Sequence, residues 1–389
     1  MRICLLGCAG FIGSHLSEWL LNNSDAELTG TDITDEKVQH LLGHPRFTYL
    51  HSDIRRDHEA TDRLIAESGV VIDLVAVASP TMYVRNPLEV FELDFIENIK
   101  IVEKCSALGK RLIQFSTCEI YGRTWLSLVP EDLISSADRE RADVTMRESE
   151  TNMIVGPIEK SRWIYSVSKQ LLERVIHAHG QDRGLDYAAI RPFNFVGPRI
   201  DFLPSERNND DSPRVIAHFM NALLYGTDMK LVDGGKALRC YTYIDDAVEC
   251  IGRITLDRSG KTSRQAFNVG NPANECSVEE LAHLMFDIYK ERFWDGVTAL
   301  PRIISVSGEE FYGRGYEDCD RRVPDISKAR ELVGWEPKWG LRDLLLATME
   351  SFVNDYRANH GQPAVSPRFT AAGTVGGPST IPQPGSTTL

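Results

Sequence analysis

The amino-acid sequence predicts an α/β fold in which a doubly wound parallel sheet is followed by a smaller α/β lobe. Two observations lead to this class. Short apolar runs alternate with helical patterns in the first half of the chain, and beyond Asn194 the composition changes to Asn-, Asp- and Pro-rich loops with mixed short elements. Because strand–helix–strand repeats at this spacing form βαβ units, the first half is expected to build a parallel sheet.

The individual elements follow from the apolar pattern. Continuous short apolar runs are typical of strands that a parallel sheet buries on both faces, and longer stretches of period near 3.6 are typical of helices. The predicted strands are Arg2–Leu6, Glu27–Thr31, Phe47–Leu50, Val70–Val77, Arg111–Phe115 and Tyr187–Arg191, and the predicted helices are Phe11–Leu21, Asp57–Glu67, Pro87–Leu108 and Arg162–Gly180. The stretch Arg123–Thr151 is charged and has no sustained period, so it is predicted to be a surface loop.

The same pattern divides the chain. Residues 1–193 are predicted to form a dinucleotide-binding domain that carries the catalytic residues, and residues 194–356 mainly a substrate-binding lobe. The segment Gln362–Leu389 is rich in Pro, Gly, Ser and Thr and is predicted to be disordered, because it lacks the apolar content to fold.

Composition excludes several classes of function. The chain has 43 Lys and Arg against 56 Asp and Glu, a net charge of −13, which disfavours nucleic acid and anionic membranes as partners. No apolar run is long enough for a transmembrane helix. The 8 cysteines show neither CxxC nor zinc-ligand spacing, so we expect reduced thiols, no metal site and a cytoplasmic protein.

A glycine-rich segment (GCAGFIG) joins the first predicted strand to the first predicted helix. Gly7 permits the tight turn, Gly10 lets the backbone approach a pyrophosphate, and Gly13 allows the helix to pack closely on the strand. Phe11 and Ile12 begin the helix, whose N-terminal N–H groups are suited to bind phosphate. These features predict a Rossmann-like dinucleotide site.

The residues after the next two strands refine the cofactor. Asp32 ends the second strand, where a carboxylate accepts hydrogen bonds from the ribose hydroxyls and repels a 2′-phosphate, so NAD is predicted over NADP. Ile33 follows it in the same pocket. Asp53 is a candidate for contact with the adenine, although a surface aspartate is nearly as common at such a position.

Tyr165 and Lys169 lie four positions apart on one predicted helix and therefore share a face. An ammonium group beside a phenol favours the phenolate, so Lys169 is predicted to lower the pKa of Tyr165 and make it a base near neutral pH. Thr117, at the end of a strand, is placed to hydrogen-bond the substrate hydroxyl. The triad Thr117, Tyr165 and Lys169 matches the pattern of the extended short-chain dehydrogenases/reductases, and Tyr165 and Lys169 are also expected to contact the cofactor.

Longer segments carry a more specific resemblance. They are GPIEKSRWIYSVSKQLLERVI, RPFNFVGPR, KLVDGGKALRCYTYIDDA, FNVGNPANE and FYGRGYEDCDRRVPD. Here the chain resembles the UDP-glucuronate decarboxylating enzymes, both the decarboxylase half of the bifunctional polymyxin-resistance enzyme of bacteria and the plant UDP-apiose/UDP-xylose synthases. The similarity runs from Arg2 to about Phe352. It implies NAD-dependent oxidative decarboxylation of UDP-glucuronic acid through a C4 ketone, giving UDP-4-keto-pentose, UDP-xylose or both.

The resemblance also implies roles for individual residues. Glu119 would be the acid/base near C4 and C5, and Arg322 the proton donor after decarboxylation. The remaining residues would contact the substrate: Ala78 and Tyr83 beside the sugar, Arg162 by the active site, and Asn194, Arg214, Lys230, Arg239 and Tyr316 around the UDP. Cations of this kind offset the charge of a diphosphate.

Other activities on the same fold stay open. A UDP-apiose synthase is one, since two cysteines near the sugar are associated with that rearrangement in the plant enzymes; this chain keeps Cys118 but has Ala78 at the other position. A UDP-glucuronate 4-epimerase keeps the carboxylate and does not need a proton donor such as Arg322, so Arg322 argues against that activity. A redox-sensing NAD-binding protein commonly lacks the Tyr/Lys pair, which this chain has. By analogy with the family, we expect a homodimer built on the helices Pro87–Leu108 and Arg162–Gly180.

Overall fold

A computed structural model describes residues 1–130, 133–135, 137, 142–206 and 214–364. The strands are β1 (Arg2–Leu6), β2 (Glu27–Asp32), β3 (Phe47–His51), β4 (Val70–Asp73), β5 (Arg111–Phe115), β6 (Thr145–Met146), β7 (Tyr187–Pro192), β8 (Phe195–Val196), β9 (Met229–Val232), β10 (Leu238–Cys240), β11 (Thr242–Tyr243), β12 (Gln265–Val269), β13 (Glu275–Ser277), β14 (Ile303–Val306) and β15 (Arg321–Pro324). The helices are α1 (Phe11–Asn23), α2 (His58–Glu67), α3 (Pro80–Arg85), α4 (Pro87–Phe91), α5 (Asn98–Ala107), α6 (Ile164–Arg183), α7 (Val215–Tyr225), α8 (Ile244–Leu256), α9 (Val278–Arg292), α10 (Gly308–Tyr312), α11 (Ser327–Val333) and α12 (Leu341–Asn359).

Seven strands form one parallel sheet in the order β12, β7, β5, β4, β1, β2, β3. The direction of winding reverses between β1 and β4. In a doubly wound sheet a crevice opens at this reversal, at the carboxyl ends of the strands, and ligands bind there. The predicted Rossmann-like α/β fold is thus confirmed.

Helices cover both faces of this sheet. Side chains of β1 alternate between two separate cores: Ile3 and Leu5 belong to the larger one, with α1 and α8, whereas Cys4 and Leu6 belong to the smaller one, with α2, α5 and α6. Because both faces of the sheet are buried, the sequences of these strands are continuous apolar runs and do not alternate between apolar and polar residues. None of the described helices is long and apolar enough to cross a membrane.

A second, four-stranded sheet lies beyond the carboxyl edge, in the order β13, β10, β15, β6. Its parallel pair β10 and β15 sets Arg239 directly beside Arg322. The small sheet therefore carries side by side two of the arginines that the sequence singled out, and one of them, Arg322, meets Glu119 just beyond the end of β5.

The structure differs from the predicted elements in three places. The strand predicted over Val70–Val77 ends at Asp73, and the following residues turn away to line the crevice. The helix predicted over Pro87–Leu108 contains a π-helical turn, Glu92–Glu97, between α4 and α5. The predicted surface loop contains β6, which pairs with β15 and buries Met146, because a two-residue strand leaves no periodic signal.

The predicted domain boundary at residue 193 stays a prediction, with one qualification from the topology. Helix α8 and strand β12 lie beyond that residue, yet they pack on and extend the seven-stranded sheet. Of the tail predicted to be disordered, residues 365–389 lie outside the described residues.

Candidate active site

The glycine-rich turn after β1 has the close packing that its sequence predicted. Gly7 adopts a φ of 84°, and a Cβ on Gly13 would lie 2.3 Å from the Gly7 carbonyl oxygen. Only glycine therefore lets α1 begin this close to the strand. The backbone N–H of Ala9 donates to Asp32 Oδ2 over 2.9 Å, which fixes the carboxylate at the end of β2 beside the turn.

A cleft of about 550 Å³ opens next to this turn. Its lining includes the predicted cofactor residues Gly7, Gly10, Asp32, Ile33 and Asp53, together with Ala78 and Arg214. Phe11 and Ile12 begin α1 at the same turn. The structure thus brings these five predicted cofactor residues to one cleft, whereas Tyr165 and Lys169, also predicted to contact the dinucleotide, are buried on α6 outside its lining, and their contacts with the cofactor stay predictions. Asp53 is paired with Arg55, whose Nε and Nη2 donate to the two carboxylate oxygens over 3.0 and 2.9 Å.

Tyr165 and Lys169 are both buried on α6, on the side that faces the end of β5. Burial raises the pKa of Tyr165, Asp94 and Glu119 raise it further, and a hydrogen bond with Thr117 lowers it. The predicted lowering of this pKa by Lys169 is therefore wrong in this structure, because burial and the two carboxylates outweigh the favourable contacts. The Lys169 ammonium itself has no hydrogen-bond partner.

A buried cluster of charges begins two residues after Thr117. Glu119 Oε2 accepts from Arg162 Nη1 at 2.6 Å, and its Oε1 accepts from Arg322 Nη1 at 3.3 Å. Burial alone would raise the pKa of Glu119, but the two guanidinium groups lower it below its ordinary value. Glu119 is therefore an ionised carboxylate, and each of its oxygens is held by a guanidinium group.

Asp318 extends this cluster toward the small sheet. Its carboxylate lies 2.7 Å from Arg239 Nη2, 3.5 Å from Arg322 Nη2 and 3.9 Å from Arg162 Nη2. Burial would raise the pKa of Asp318, but the three arginines lower it well below its ordinary value. Three guanidinium groups thus face two carboxylates, and the cluster has one positive charge left to complement an anionic ligand.

Aromatic rings border the cluster on two sides. The Tyr83 ring stacks on the Tyr165 ring and lies 5.9 Å from the Arg162 guanidinium carbon. Tyr316 stacks on Tyr312, with centroids 4.2 Å apart. Burial raises the pKa of Tyr316, and Asp318 raises it further, so its hydroxyl stays protonated.

Cys118 lies beside Glu119 and is buried together with Cys319 in a small core. Burial raises the pKa of the Cys118 thiol to about 11, although Arg322 opposes the shift. The thiol is therefore protonated near neutral pH. All eight cysteines lie among the described residues and are buried without a disulfide partner.

Other predicted substrate residues lie apart from the charge cluster. Lys230 is exposed on β9. Arg214 lines the cofactor cleft, with its guanidinium carbon 5.9 Å from the Phe11 ring and its Nη1 donating to the Ile200 carbonyl over 3.3 Å. Asn194 has a φ of 39° and braces the backbone by donating to the Cys240 carbonyl over 3.1 Å. Their predicted contacts with UDP stay predictions.

Sequence reasoning missed Asp318, Tyr312 and Asp94. The first two stand in the segment FYGRGYEDCDRRVPD, where Asp318 precedes Arg322 by four positions, but only the packing of β15 against β10 shows that Asp318 also meets Arg239. No signal in the sequence marks Asp94, because its burial depends on the π-helical turn.

Comparison with known proteins accounts for this arrangement. The family model described as the NAD dependent epimerase/dehydratase family matches residues 3–270. The chain belongs to this family. Its membership confirms the predicted cofactor, NAD, and the residues of the cleft fit that dinucleotide: the glycine turn leaves room for a pyrophosphate, and Asp32 stands where a ribose would lie. Outside the lining of the cleft, the buried Lys169 ammonium has no hydrogen-bond partner and is available to a ribose hydroxyl.

Individual relatives agree with the predicted resemblance. The chain is 38% identical over 356 residues to UDP-D-apiose/UDP-D-xylose synthase 1 of Arabidopsis thaliana, covering 90% of each chain. It is equally similar to the UDP-D-apiose/UDP-D-xylose synthase of Oryza sativa subsp. japonica, with 90% of this chain and 88% of the relative covered.

Solved structures share the architecture. The PbgP3 protein of Burkholderia pseudomallei superposes with a TM-score of 0.78 at 33% identity, covering 92% of this chain and 98% of its own. UDP-glucuronic acid 4-epimerase of Bacillus cereus, solved with UDP-glucuronic acid and NAD, has a TM-score of 0.71 at 20% identity, covering 92% of this chain and 100% of its own. The second likeness shows the fold alone.

Proposed function

We propose that this protein is an NAD-dependent UDP-glucuronate decarboxylase. The observation that carries the proposal is the adjacency of two groups of side chains. Tyr165, hydrogen-bonded to Thr117, would take the proton of a sugar hydroxyl, a role that requires the positive charge of bound oxidised NAD to lower the pKa that burial raises. Immediately beside it, Glu119, Arg162 and Arg322 belong to a buried cluster with one uncompensated positive charge, which complements a sugar carboxylate.

The reaction links these two groups. Oxidation at C4 of UDP-glucuronate produces a ketone β to the C6 carboxylate, and a β-keto acid loses CO₂ while its electrons are held as an enolate. Bound NAD would supply the hydride acceptor, and Gly7, Gly10, Asp32 and Lys169 are the residues that would hold it. The protein then has to orient the sugar and move protons.

Three residues transfer the protons and stabilise the charges of this reaction. Tyr165 takes the C4 hydroxyl proton. Arg322 stays protonated because Glu119 holds its pKa above the ordinary value against the opposing effect of burial, so it stabilises the carboxylate and then the enolate. As an ionised carboxylate between two guanidinium groups, Glu119 holds Arg162 and Arg322 in place, and the proton that C5 of the enolate gains comes from Arg322, which recovers one from solvent. The role of Arg322 as the proton donor itself, which the resemblance implies, is part of the proposal.

The UDP moiety is assigned to the small sheet and the residues around it. Arg239 is buried next to Asp318 and supplies a guanidinium for the diphosphate, and Tyr316 supplies a hydroxyl and a ring face. The remaining candidates are Asn194, Lys230 and Arg214, of which Arg214 stands between the cofactor cleft and the start of α7.

The direct test is to incubate the purified protein with NAD and UDP-glucuronate and to follow CO₂, NADH absorbance and the sugar product by proton NMR. UDP-glucose, which lacks the carboxylate, is the matched control substrate. We expect CO₂ only from UDP-glucuronate. Epimerisation to UDP-galacturonate without CO₂ would overturn the proposal in favour of a 4-epimerase.

A second candidate is a UDP-apiose/UDP-xylose synthase, because the curated relatives at 38% identity bear that name. Forming the branched sugar requires a carbon–carbon bond of the C4 ketone to break and re-form. Cys118 is present as a protonated thiol, but Ala78 offers no proton donor or acceptor on the cleft side. The decarboxylase without rearrangement is therefore the preferred assignment.

The homodimer is a proposal that exposed apolar side chains support. Leu88 and Ile96 project from the segment 87–107, and Val167 and Leu171 from α6, and all four are exposed. An isologous four-helix contact would bury them. Light scattering should give twice the chain mass, and Leu171→Asp should lower it to that of one chain. The unpaired buried cysteines support a cytoplasmic location.

A further inference from the structure

Three charged side chains connect the two walls of the cofactor cleft. One wall is formed by residues at the ends of β2 and β3, including Asp53 and Arg55, and the other by the residues after β4 and by α3 and α4, including Glu89. Arg55 Nη1 lies 3.8 Å from Glu89 Oε1, and Arg55 also contacts Asp53. The sequence pointed to Asp53 as a candidate for contact with adenine, but it did not single out Arg55 or Glu89, and the reaction proposed above uses neither of them.

Asp53 determines where the Arg55 guanidinium lies. Its Oδ1 accepts from Arg55 Nε over 3.0 Å and from the Arg55 backbone N–H over 3.0 Å, and its Oδ2 accepts from Nη2 over 2.9 Å. A forked pair of this kind restricts the rotation of a long arginine side chain. Because Nε and Nη2 are engaged by Asp53, Nη1 is the nitrogen that meets Glu89. Asp53 therefore acts on the opposite wall through Arg55.

Glu89 belongs to an element that lies outside the parallel sheet. Helix α4 follows α3 after a single residue and continues into the π-helical turn, whereas Asp53 and Arg55 follow β3. The ion pair thus links a segment anchored to the sheet with a short helix that is not part of it. Since both partners line the cleft, opening or closing the pair changes the passage between the two walls.

The strength of this ion pair is in the range that adjusts a rate without blocking it. The side chains of Arg55 and Glu89 are 39% and 47% exposed, and exposed ion pairs contribute little free energy because water and salt screen them. Loss of such a pair corresponds to a change of about two- to fivefold in a rate constant. Asp53 favours the contact, because a guanidinium that is already held in place loses less entropy when the pair forms.

We propose that the Asp53–Arg55–Glu89 bridge slows the departure of the reduced cofactor and thereby sets the ratio of UDP-xylose to UDP-4-keto-pentose. This inference rests on the function proposed above. Oxidation at C4 and loss of CO₂ leave one C4 ketone and one NADH for each CO₂. When NADH dissociates, UDP-4-keto-pentose is the product; when it stays, its hydride and one proton reduce the ketone to UDP-xylose and NAD is regenerated. The three residues take no part in the chemistry at C4 and C5, and they affect the product through the time that the cofactor remains bound.

The rate at which NADH leaves the protein tests the bridge without any sugar. Stopped-flow fluorescence follows NADH after the NADH-loaded protein is mixed with excess NAD. Glu89→Gln keeps the size of the side chain and removes its charge, so we expect dissociation about two- to fivefold faster than in the wild type. Glu89→Lys should accelerate it further, since like charges then face each other. Glu92→Gln, at an exposed position in the π-helical turn outside the lining of the cleft, is the matched control and should keep the wild-type rate.

A double-mutant cycle separates the ion pair from its individual side chains. When Arg55 and Glu89 act together, Arg55→Gln accelerates dissociation by itself and Glu89→Gln adds little in its presence. The difference between the wild type and Glu89→Gln should also shrink as salt is raised, because the Debye length falls from about 10 Å at 0.1 M to about 3 Å at 1 M. Single effects that simply multiply in the double variant would show that the two side chains are not coupled, and the bridge would be abandoned.

The product ratio tests the consequence for the reaction. During turnover of UDP-glucuronate with NAD, Glu89→Gln should form about two- to fivefold more UDP-4-keto-pentose per UDP-xylose than the wild type, as measured by proton NMR. A wild type that produces no CO₂ would refute the proposed function, and the dissociation rates would still decide whether the bridge retains the cofactor. Dissociation that Glu89→Gln leaves unchanged, or faster dissociation with an unchanged product ratio, would overturn the inference.

Discussion

The phenol rings of Tyr83 and Tyr165 stack with their centroids 4.6 Å apart and their planes within 6° of parallel. Tyr83 comes from α3, which follows the residues that line the cofactor cleft, and Tyr165 from the first turn of α6. The contact fixes the phenol of Tyr165 between the cleft and the charge cluster. It also means that the hydroxyl can be removed from Tyr165 without disturbing how the ring packs.

Tyr165→Phe should therefore fold normally and bind UDP-glucuronate with unchanged affinity, while turnover falls at least ~10²-fold because the general base is lost. Calorimetry and a single-turnover NADH assay measure the two quantities separately. Tyr187→Phe, which removes the phenol hydroxyl that meets His177 and has no assigned role in the site, is the control. Near-normal turnover in Tyr165→Phe would remove Tyr165 from the mechanism.

The positive charge of Arg322 should be its most important contribution to decarboxylation. Arg322→Ala leaves Glu119 and Asp318 facing two arginines, with no positive charge in excess, so CO₂ release should fall far more than NAD binding does. Arg322→Lys keeps the charge and should retain part of the activity, although it loses the forked geometry. If Arg322→Ala released CO₂ at the full rate, the neighbouring Arg321, bound bidentately by Glu275 at 2.7 and 2.8 Å, would become the candidate.

Asp94 should make stability depend on pH in a definite direction. Its folded-state pKa of about 6 lies above the ordinary 3.8, so the folded state binds its proton more tightly and loses stability as the pH rises through this interval. The difference corresponds to about 3 kcal/mol. The free energy of unfolding of Asp94→Asn relative to wild type should therefore rise by roughly that amount between about pH 4 and pH 7.5, as measured by urea denaturation. A difference that does not change with pH would contradict it.

The sugar product should depend on whether residue 78 is alanine or cysteine. With one thiol present, UDP-4-keto-pentose and UDP-xylose should both form, and UDP-apiose should not. Ala78→Cys restores a second thiol at the wall of the cleft and should divert part of the flux to UDP-apiose, or to the cyclic apiose phosphate to which it decays. Proton NMR of the two reactions distinguishes these sugars. Substantial apiose from the wild type would show that Cys118 suffices alone.

The parts of the molecule that could be predicted from the sequence are those set by local pattern. The strand–glycine turn–helix unit and the helical spacing of Tyr165 and Lys169 depend on residues close together in the chain, and the structure contains both. The resemblance to known enzymes led to Glu119, Arg162 and Arg322, which the structure brings into contact.

What could not be predicted depends on distant contacts. Asp318 meets Arg239 only because β15 pairs with β10. The two residues of β6 form a strand only because they pair with β15. The pKa of Tyr165 was predicted in the wrong direction for the same reason: the helix spacing shows Lys169, but the burial and the carboxylate of Asp94 come from other elements.

The ion pair between Glu119 and Arg322 joins residues that are 203 positions apart. Closing so long a stretch of chain is entropically expensive and belongs to the slow, late part of folding. Glu119 follows β5 of the large sheet, and Arg322 lies on β15 of the small one, so the pair forms only after both sheets have assembled and met. During refolding, recovery of decarboxylation should therefore lag behind recovery of helical circular dichroism, and the enzyme's own activity becomes the probe of the final docking step.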